Sequence, residues 1–150
     1  MKVELKNVKI AQFLSQETSA FTADVFVDGT KVGGVRNDGQ GGSNIYYLGS
    51  FTRQLEEWAK GQKVDPLFPD VEMNLGMVFS MMVDEIEEEK RMRKFCSKGL
   101  LFRLDGDAKD SWRVVKLDKK VSAEVARAFV VEKYKSSVLE IANDRFSQGN

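Results

Sequence analysis

A chain of 150 residues that balances 23 Lys and Arg against 23 Asp and Glu, with no histidine and one cysteine, excludes more chemistry than it selects. The missing histidine removes Ser-His-Asp and Cys-His catalysis and the usual zinc and iron sites, and Cys96 alone allows neither an internal disulfide nor a multi-cysteine metal site. Zero formal net charge argues against a general nucleic-acid binder and against a DNA mimic, while leaving room for a local charged patch.

The length predicts a single domain over residues 1–150. There is no N-terminal apolar h-region and no run of about 18 apolar residues, so neither a signal peptide nor a membrane span is expected. The setting this implies is a reducing cytoplasm.

Lys2 to Ala11 alternates imperfectly (Val3 and Leu5, then Val8 and Ile10) and reads as one strand with a kink near Asn7. Phe13 and Leu14 are expected to be buried, and Gln16 to Ser19 to form a polar connection. Ala23 to Val27 and Thr30 to Val32 are two further strands. Asp28-Gly29 between them is a strong hairpin signal, because a type I′ turn needs positive φ at both central residues. Gly33-Gly34 inside the second strand marks a bulge or a close approach of another backbone.

The run Asn37-Asp38-Gly39-Gln40-Gly41-Gly42-Ser43-Asn44 is the most unusual chemistry in the chain. Most of its residues tolerate left-handed backbone, and its glycines leave amides unshielded, a pattern that can make an anion nest. Asp38 with Asn37 and Asn44 would suit a cation or a sugar hydroxyl instead, and Tyr46 or Tyr47 would stack on a ring. The candidate ligand or partner residues are therefore Asn37, Asp38, Gly39, Gly41, Gly42, Asn44, Tyr46 and Tyr47. The competing reading is a plain tight turn between a hairpin and a helix. The named phosphate motifs fail: the third glycine of a dinucleotide fingerprint is Asn44 here, and no P-loop lysine follows.

Ser50 or Thr52 is placed to cap a short helix with Leu55, Trp58 and Ala59 on its apolar stripe, ended by Gly61. Pro66 and Pro69 make Lys63 to Asp70 a rigid extended loop. The longest helical pattern runs from about Val71 to Phe95. Its Met73, Met77, Met81 and Met82 read as core packing or as an adaptable binding surface. Glu87 with Arg91 and Glu89 with Arg93 are spaced as ion pairs on a solvated face. The sharper alternative is a basic end, with Lys98 and Arg103 added, for phosphates or an acidic partner. Gly99 ends the helix. Leu100 to Leu104 and Trp112 to Leu117 form a second hairpin, whose Asp105, Asp107 and Asp110 resemble a calcium loop but break the EF-hand pattern. Val121 to Tyr134 is a last helix capped by Ser122, Ser137 to Asn143 is a short strand or turn, and the tail from Phe146 frays. The fold class is α+β: an N-terminal antiparallel meander and a C-terminal hairpin packed with about three helices.

The segment DVFVDGTKVGGVRNDGQGG, followed by LFRLDGD, WRVVKL, VARAFVVEKY and EIAND, resembles a group of small uncharacterised accessory proteins carried by bacteriophages and plasmids. The Asn37–Gly42 run is its most recognisable part, and the similarity extends over most of the chain. The resemblance implies the cytoplasm of a bacterial host, where such proteins often bind and inhibit a host component. On this basis the first expectation is a non-enzymatic protein that sequesters or blocks a host protein, with no cofactor and no metal. The alternative is a binder of a small anionic ligand such as a nucleotide, with Arg36 or Arg53 on the phosphate. Least favoured is a carboxylate enzyme using magnesium held by Asp38 or the Asp105–Asp110 loop.

Overall fold

The first hairpin closes at Asp28 and Gly29, whose φ angles of 48° and 85° are both positive, as a type I′ turn demands. The computed structural model describes residues 1–15, 18–62 and 69–146. Most of the proline-bearing loop, Gln16 and Glu17 of the polar connection, and the tail beyond Phe146 lie outside these. The chain divides into two compact units, residues 1–86 and 87–150, the boundary falling within the long helix.

The first unit is built on a four-stranded antiparallel sheet in the order β1 (Val3–Ile10), β2 (Phe21–Val27), β3 (Thr30–Asn37), β4 (Ile45–Tyr47). The irregularity expected near Asn7 is a bulge. The β1–β2 register slips between Lys6 and Lys9, Asn7 has φ 54°, and its Nδ2 donates to Asp24 Oδ2 at 2.8 Å. A second slip, between Val25 and Phe26, falls opposite Val32, beside the Gly33-Gly34 pair. Gly33 is required there. A Cβ on it would lie 1.7 Å from the Tyr47 carbonyl oxygen, because β4 folds back against this point.

Two expectations change around the sheet of this unit. Phe13 and Leu14 sit in a short 3-10 turn and are 85% and 51% exposed, so they are surface residues. The glycine-rich run does not lead into a helix: it joins β3 to β4, and the tyrosines belong to that fourth strand. Three residues are too few for alternation to reveal a strand.

Along β2, Phe21, Ala23, Val25 and Val27 point to one face, as period two requires, and all are buried. Helix α1 (Thr52–Lys60) covers this face with Leu55 and Ala59, and helix α2 (Leu75–Lys98) adds Leu75, Val78, Phe79 and Val83 from its first half. Each such large side chain contributes about 1.5–3 kcal/mol on burial. The expected caps on α1 are absent. It grows out of a 3-10 turn at Gly49–Phe51, and Thr52 Oγ1 donates to Gly49 O instead. Helix α2 begins later than Val71, at the point where Asn74 Oδ1 accepts the Met77 N–H at 3.0 Å.

In the second unit, β5 (Gly99–Leu104) lies between β6 (Arg113–Lys116) and β7 (Val138–Ile141), all antiparallel. As the central strand it is buried on both sides, which is why Leu100 to Phe102 is an unbroken apolar run. Leu100, Phe102 and Leu104 meet Ala126 and Val130 of helix α3 (Ala123–Tyr134), while Leu101 packs with Met92 and Ala142. Ser122 caps α3 as expected, its side chain accepting the Val125 N–H at 3.3 Å. Asn143 pins the end of α2 to β5: its Oδ1 accepts from Leu101 N–H, and its Nδ2 donates to the Cys96 and Gly99 carbonyls.

Candidate functional site

The β3–β4 loop is organised by one buried amide. Asn37 ends β3 on the inward-facing side, where its neighbours Val35 and Ala23 are core, and it is only 8% exposed. A buried amide must find partners for two donors and two lone pairs. Asn37 finds all four. Its Oδ1 accepts from Thr18 Oγ1 (2.7 Å) and Gly39 N–H (2.8 Å), and its Nδ2 donates to Gly42 O and Asn44 Oδ1 (both 2.9 Å). The network continues through Asn44, whose Nδ2 donates to Gly76 O (2.6 Å) and Ser80 Oγ (2.7 Å) on α2.

The glycines serve this arrangement. Gly39 and Gly41 have φ of 82° and 88°. Gly39 is also buried, and a Cβ there would come 2.3 Å from Leu14 O. Its N–H is taken by Asn37, and that of Gly41 by Thr18 Oγ1 at 3.3 Å. Two of the amides that suggested an anion nest are therefore spent on the loop itself. The tip remains in solvent, with Asp38, Gln40, Gly41, Gly42 and Ser43 all exposed.

Beside the loop lies a cleft of about 440 Å³. Asn37, Gly42, Ser43 and Asn44 form one wall, and Asn74, Gly76, Ser80 and Asp84 the other, with Thr18 and Ser19 at one end. Hydroxyls, amides and main-chain groups share the lining with Phe21, Met77 and Val83. Asp84 is the only charged side chain among these, and among the described residues no Lys or Arg lines the cleft.

Of the residues singled out from sequence, Asn37, Gly42 and Asn44 are brought together here, with Gly39 and Gly41 shaping the loop behind them. Asp38 is exposed and does not line the cleft. The tyrosines do not converge, because successive strand residues face opposite sides. Tyr46 turns inward, its ring edge-on to Phe79 at 5.9 Å and its hydroxyl 3.1 Å from Glu56 Oε1; burial, reinforced by Glu56, pushes that hydroxyl's pKa up. Tyr47 faces out, 62% exposed, with the Arg36 guanidinium 5.9 Å from its ring centre. Thr18, Ser19, Ser80 and Asp84 carried no signal in the sequence. Asn74 did, as a capping residue ahead of an apolar run.

The other candidates resolve into structural roles. Met73 is buried, and Met77, Met81 and Met82 pack on the core of the first unit. Asp107 accepts from Leu104 N–H and from the Arg113 guanidinium, contacts that hold its carboxyl at about 2. Arg103 pairs with Glu140 at 2.8 Å and is mostly buried, so it does not extend the basic end of α2. On that helix Arg93 pairs with Glu89 as the spacing suggested, while Arg91 pairs with Glu88. Burial pushes the Cys96 thiol up, the opposite of activation. Among the described residues no helix is long and apolar enough to cross a membrane, and no group of three His, Cys, Asp or Glu side chains is placed to hold a metal ion.

Comparison with protein-family models, with curated proteins and with solved structures finds no match to this chain.

Proposed function

We propose that the chain is a non-enzymatic binding protein whose β3–β4 loop engages a protein partner. The observation that carries this is the Asn37 network. A buried side chain fully spent on holding a solvent-exposed tip reduces the ordering cost of binding, which is how preformed loops gain affinity. The neighbouring cleft favours a protein over a nucleotide. Phosphate needs cations or free amides, and here the lining charge is Asp84, Gly39 and Gly41 have used their N–H groups, and Arg36 sits on the opposite sheet face with Tyr47. A cleft lined by hydroxyls, amides and apolar side chains, with Asp84 as its lining charge among the described residues, suits the main chain and polar side chains of another protein. The resemblance to phage- and plasmid-borne accessory proteins supports a host protein as that partner, sequestered or inhibited in the bacterial cytoplasm.

The test is capture at stoichiometric level from bacterial host lysate by immobilised wild-type protein and by a Gln40→Glu, Ser43→Glu variant. Both positions are exposed, so the fold persists. The wild type is expected to retain one protein at about equal molar amount, and the variant to lose most of it. No stoichiometric partner, or equal capture by both, overturns the reading.

A further inference from the structure

The amides that close the cleft beside the β3–β4 loop have little left to donate. Asn37 Nδ2 gives both N–H groups to Gly42 O and Asn44 Oδ1, and Asn44 Nδ2 gives both of its own to Gly76 O and Ser80 Oγ. Of the lining amides only Asn74 stands outside this network. The hydroxyls of Ser19, Ser43 and Ser80 turn to suit either sense of hydrogen bond, whereas the Asp84 carboxylate only accepts. A carboxylate has about four lone-pair sites, so contacts within the protein leave it able to take a ligand as well. A cation entering here meets no like charge among the described lining residues.

Gly76, Ser80 and Asp84 follow at four-residue spacing along α2 and so share one stripe of that helix. A rise of 1.5 Å per residue sets Asp84 about 12 Å along the axis from Gly76. Asn44 holds the loop to Gly76 and Ser80, so the exposed tip stands over that end of the stripe and the carboxylate lies a turn beyond. Phe21, Met77 and Val83 complete the lining with apolar surface. A ligand reaching from the tip to Asp84 therefore crosses apolar atoms before it meets the charge, which suits a long aliphatic stem ending in a cation. The surrounding field has the matching sign: residues 1–86 hold 8 of the 23 basic side chains and 12 of the 23 acidic ones, a net −4.

We propose that the cleft receives an arginine side chain of the partner protein, its guanidinium on Asp84 and its methylenes over Met77 and Val83. This rests on the reading of the β3–β4 loop as a partner-binding site, and it names the residue type that the site recognises. The planar guanidinium meets a carboxylate with two parallel hydrogen bonds and keeps further N–H groups for the Ser80 and Ser19 hydroxyls. Lysine fits less well, because its ammonium is a compact, strongly hydrated charge that gains less from an apolar floor. The partner's main chain on either side of the arginine lies against the exposed Gly42 and Ser43.

The test is a nitrogen-edited NMR titration of the full chain with an end-blocked Gly-Gly-Arg-Gly-Gly peptide. The comparison ligands carry Lys, citrulline or Glu in place of the Arg, and ethylguanidine presents the same cation without a chain. Saturable shifts are expected at the Asn44 side-chain amide and at the Ser80 and Asp84 main chain. Citrulline, which keeps the shape and loses the charge, should bind about fivefold more weakly, as should the Arg peptide to Asp84→Asn. Asp84→Lys should transfer preference to the Glu peptide. Asp84 is exposed, so these variants fold, which circular dichroism verifies. No saturable shift in the cleft, equal binding of citrulline, or unchanged affinity in Asp84→Asn overturns the proposal. Ethylguanidine binding as tightly as the peptide overturns it by assigning the cleft to a small guanidinium compound, and a concentration-dependent mass that Asp84→Asn abolishes overturns it by assigning the arginine to a second copy. Capture from lysate separates this inference from the reading beneath it. A lysate that yields no stoichiometric partner overturns the proposed function and leaves the peptide result standing. A partner lost by the Gln40→Glu, Ser43→Glu variant but fully retained by Asp84→Asn overturns this inference alone.

Discussion

Asn37 Nδ2 donates to Asn44 Oδ1 at 2.9 Å, and through that contact a residue ending β3 is tied to α2. Removing the Asn37 amide strands the Thr18 hydroxyl, the Gly39 N–H, the Gly42 carbonyl and the Asn44 amide oxygen together. Leaving buried polar groups unpaired costs roughly 1–3 kcal/mol, so Asn37→Ala should destabilise the protein by about 2–3 kcal/mol in urea titration. Asn37→Asp should be at least as harmful, because a carboxylate accepts only and would face two oxygens. If either variant unfolds at the wild-type midpoint, the loop is not organised by this residue.

The approach of β4 to Gly33 gives a paired comparison. A Cβ at Gly33 would collide with the Tyr47 carbonyl oxygen, whereas one at Gly34 would come 3.3 Å from Ala23 O. Gly33→Ala should therefore cost about 2–3 kcal/mol or more, since the obstacle is main chain that cannot rotate aside. Gly34→Ala should stay within about 1 kcal/mol of wild type, with the entropy gained in the unfolded chain offsetting a small adjustment. Thermal unfolding of the two variants separates them, and equal midpoints would show that β4 yields freely.

Phe79 anchors the same region from the helix side, fully buried and edge-on to Tyr46. Phe79→Ala should lose about 3–5 kcal/mol, the range for a large buried aromatic. Tyr46→Phe keeps the ring contact and gives up only the exposed hydroxyl contact with Glu56, so it should change stability by less than about 1 kcal/mol. A double-mutant cycle between positions 46 and 79 should give a coupling of about 0.5–1.5 kcal/mol.

What the sequence disclosed and what it hid follow from range. The Asp28-Gly29 turn, the irregularity at Asn7 and the Ser122 cap are each fixed by a few adjacent residues, and each is found in the structure. β4 is three residues long, below the length at which alternation is visible, so Tyr46 and Tyr47 read as the end of a loop. Asn37 read as a ligand candidate because an amide before a glycine run has the same composition whether it binds or braces. Its partners Thr18 and Asn44 decide between the two, and only the fold places Thr18 beside it. Phe13 and Leu14 are apolar yet exposed, which composition cannot distinguish from core. Charge was hidden in the opposite sense: a zero sum over the chain conceals that residues 87–150 hold 15 basic and 11 acidic side chains, a net +4.

Asp107 and Arg113 offer a titration that reads the second unit alone. The carboxylate accepts from Nε and Nη2 of Arg113 and from the Leu104 N–H, and these contacts lower its pKa from 3.8 to about 2. A group whose folded pKa is depressed adds stability that is complete above its unfolded value and lost as the pH falls through the folded one. The Asp107 contribution should accordingly hold above about pH 4 and vanish between about pH 4 and pH 2. Glu140, lowered by Arg103 and then by Arg145, should act in the same direction. Carbon-detected NMR of the Asp107 carboxyl should give a midpoint near 2. In Arg113→Met the midpoint should rise towards the ordinary value while the Leu104 contact still holds it below, and the acid limb of the stability curve should flatten. An unchanged midpoint in that variant would assign the shift to the main-chain donor rather than to the arginine.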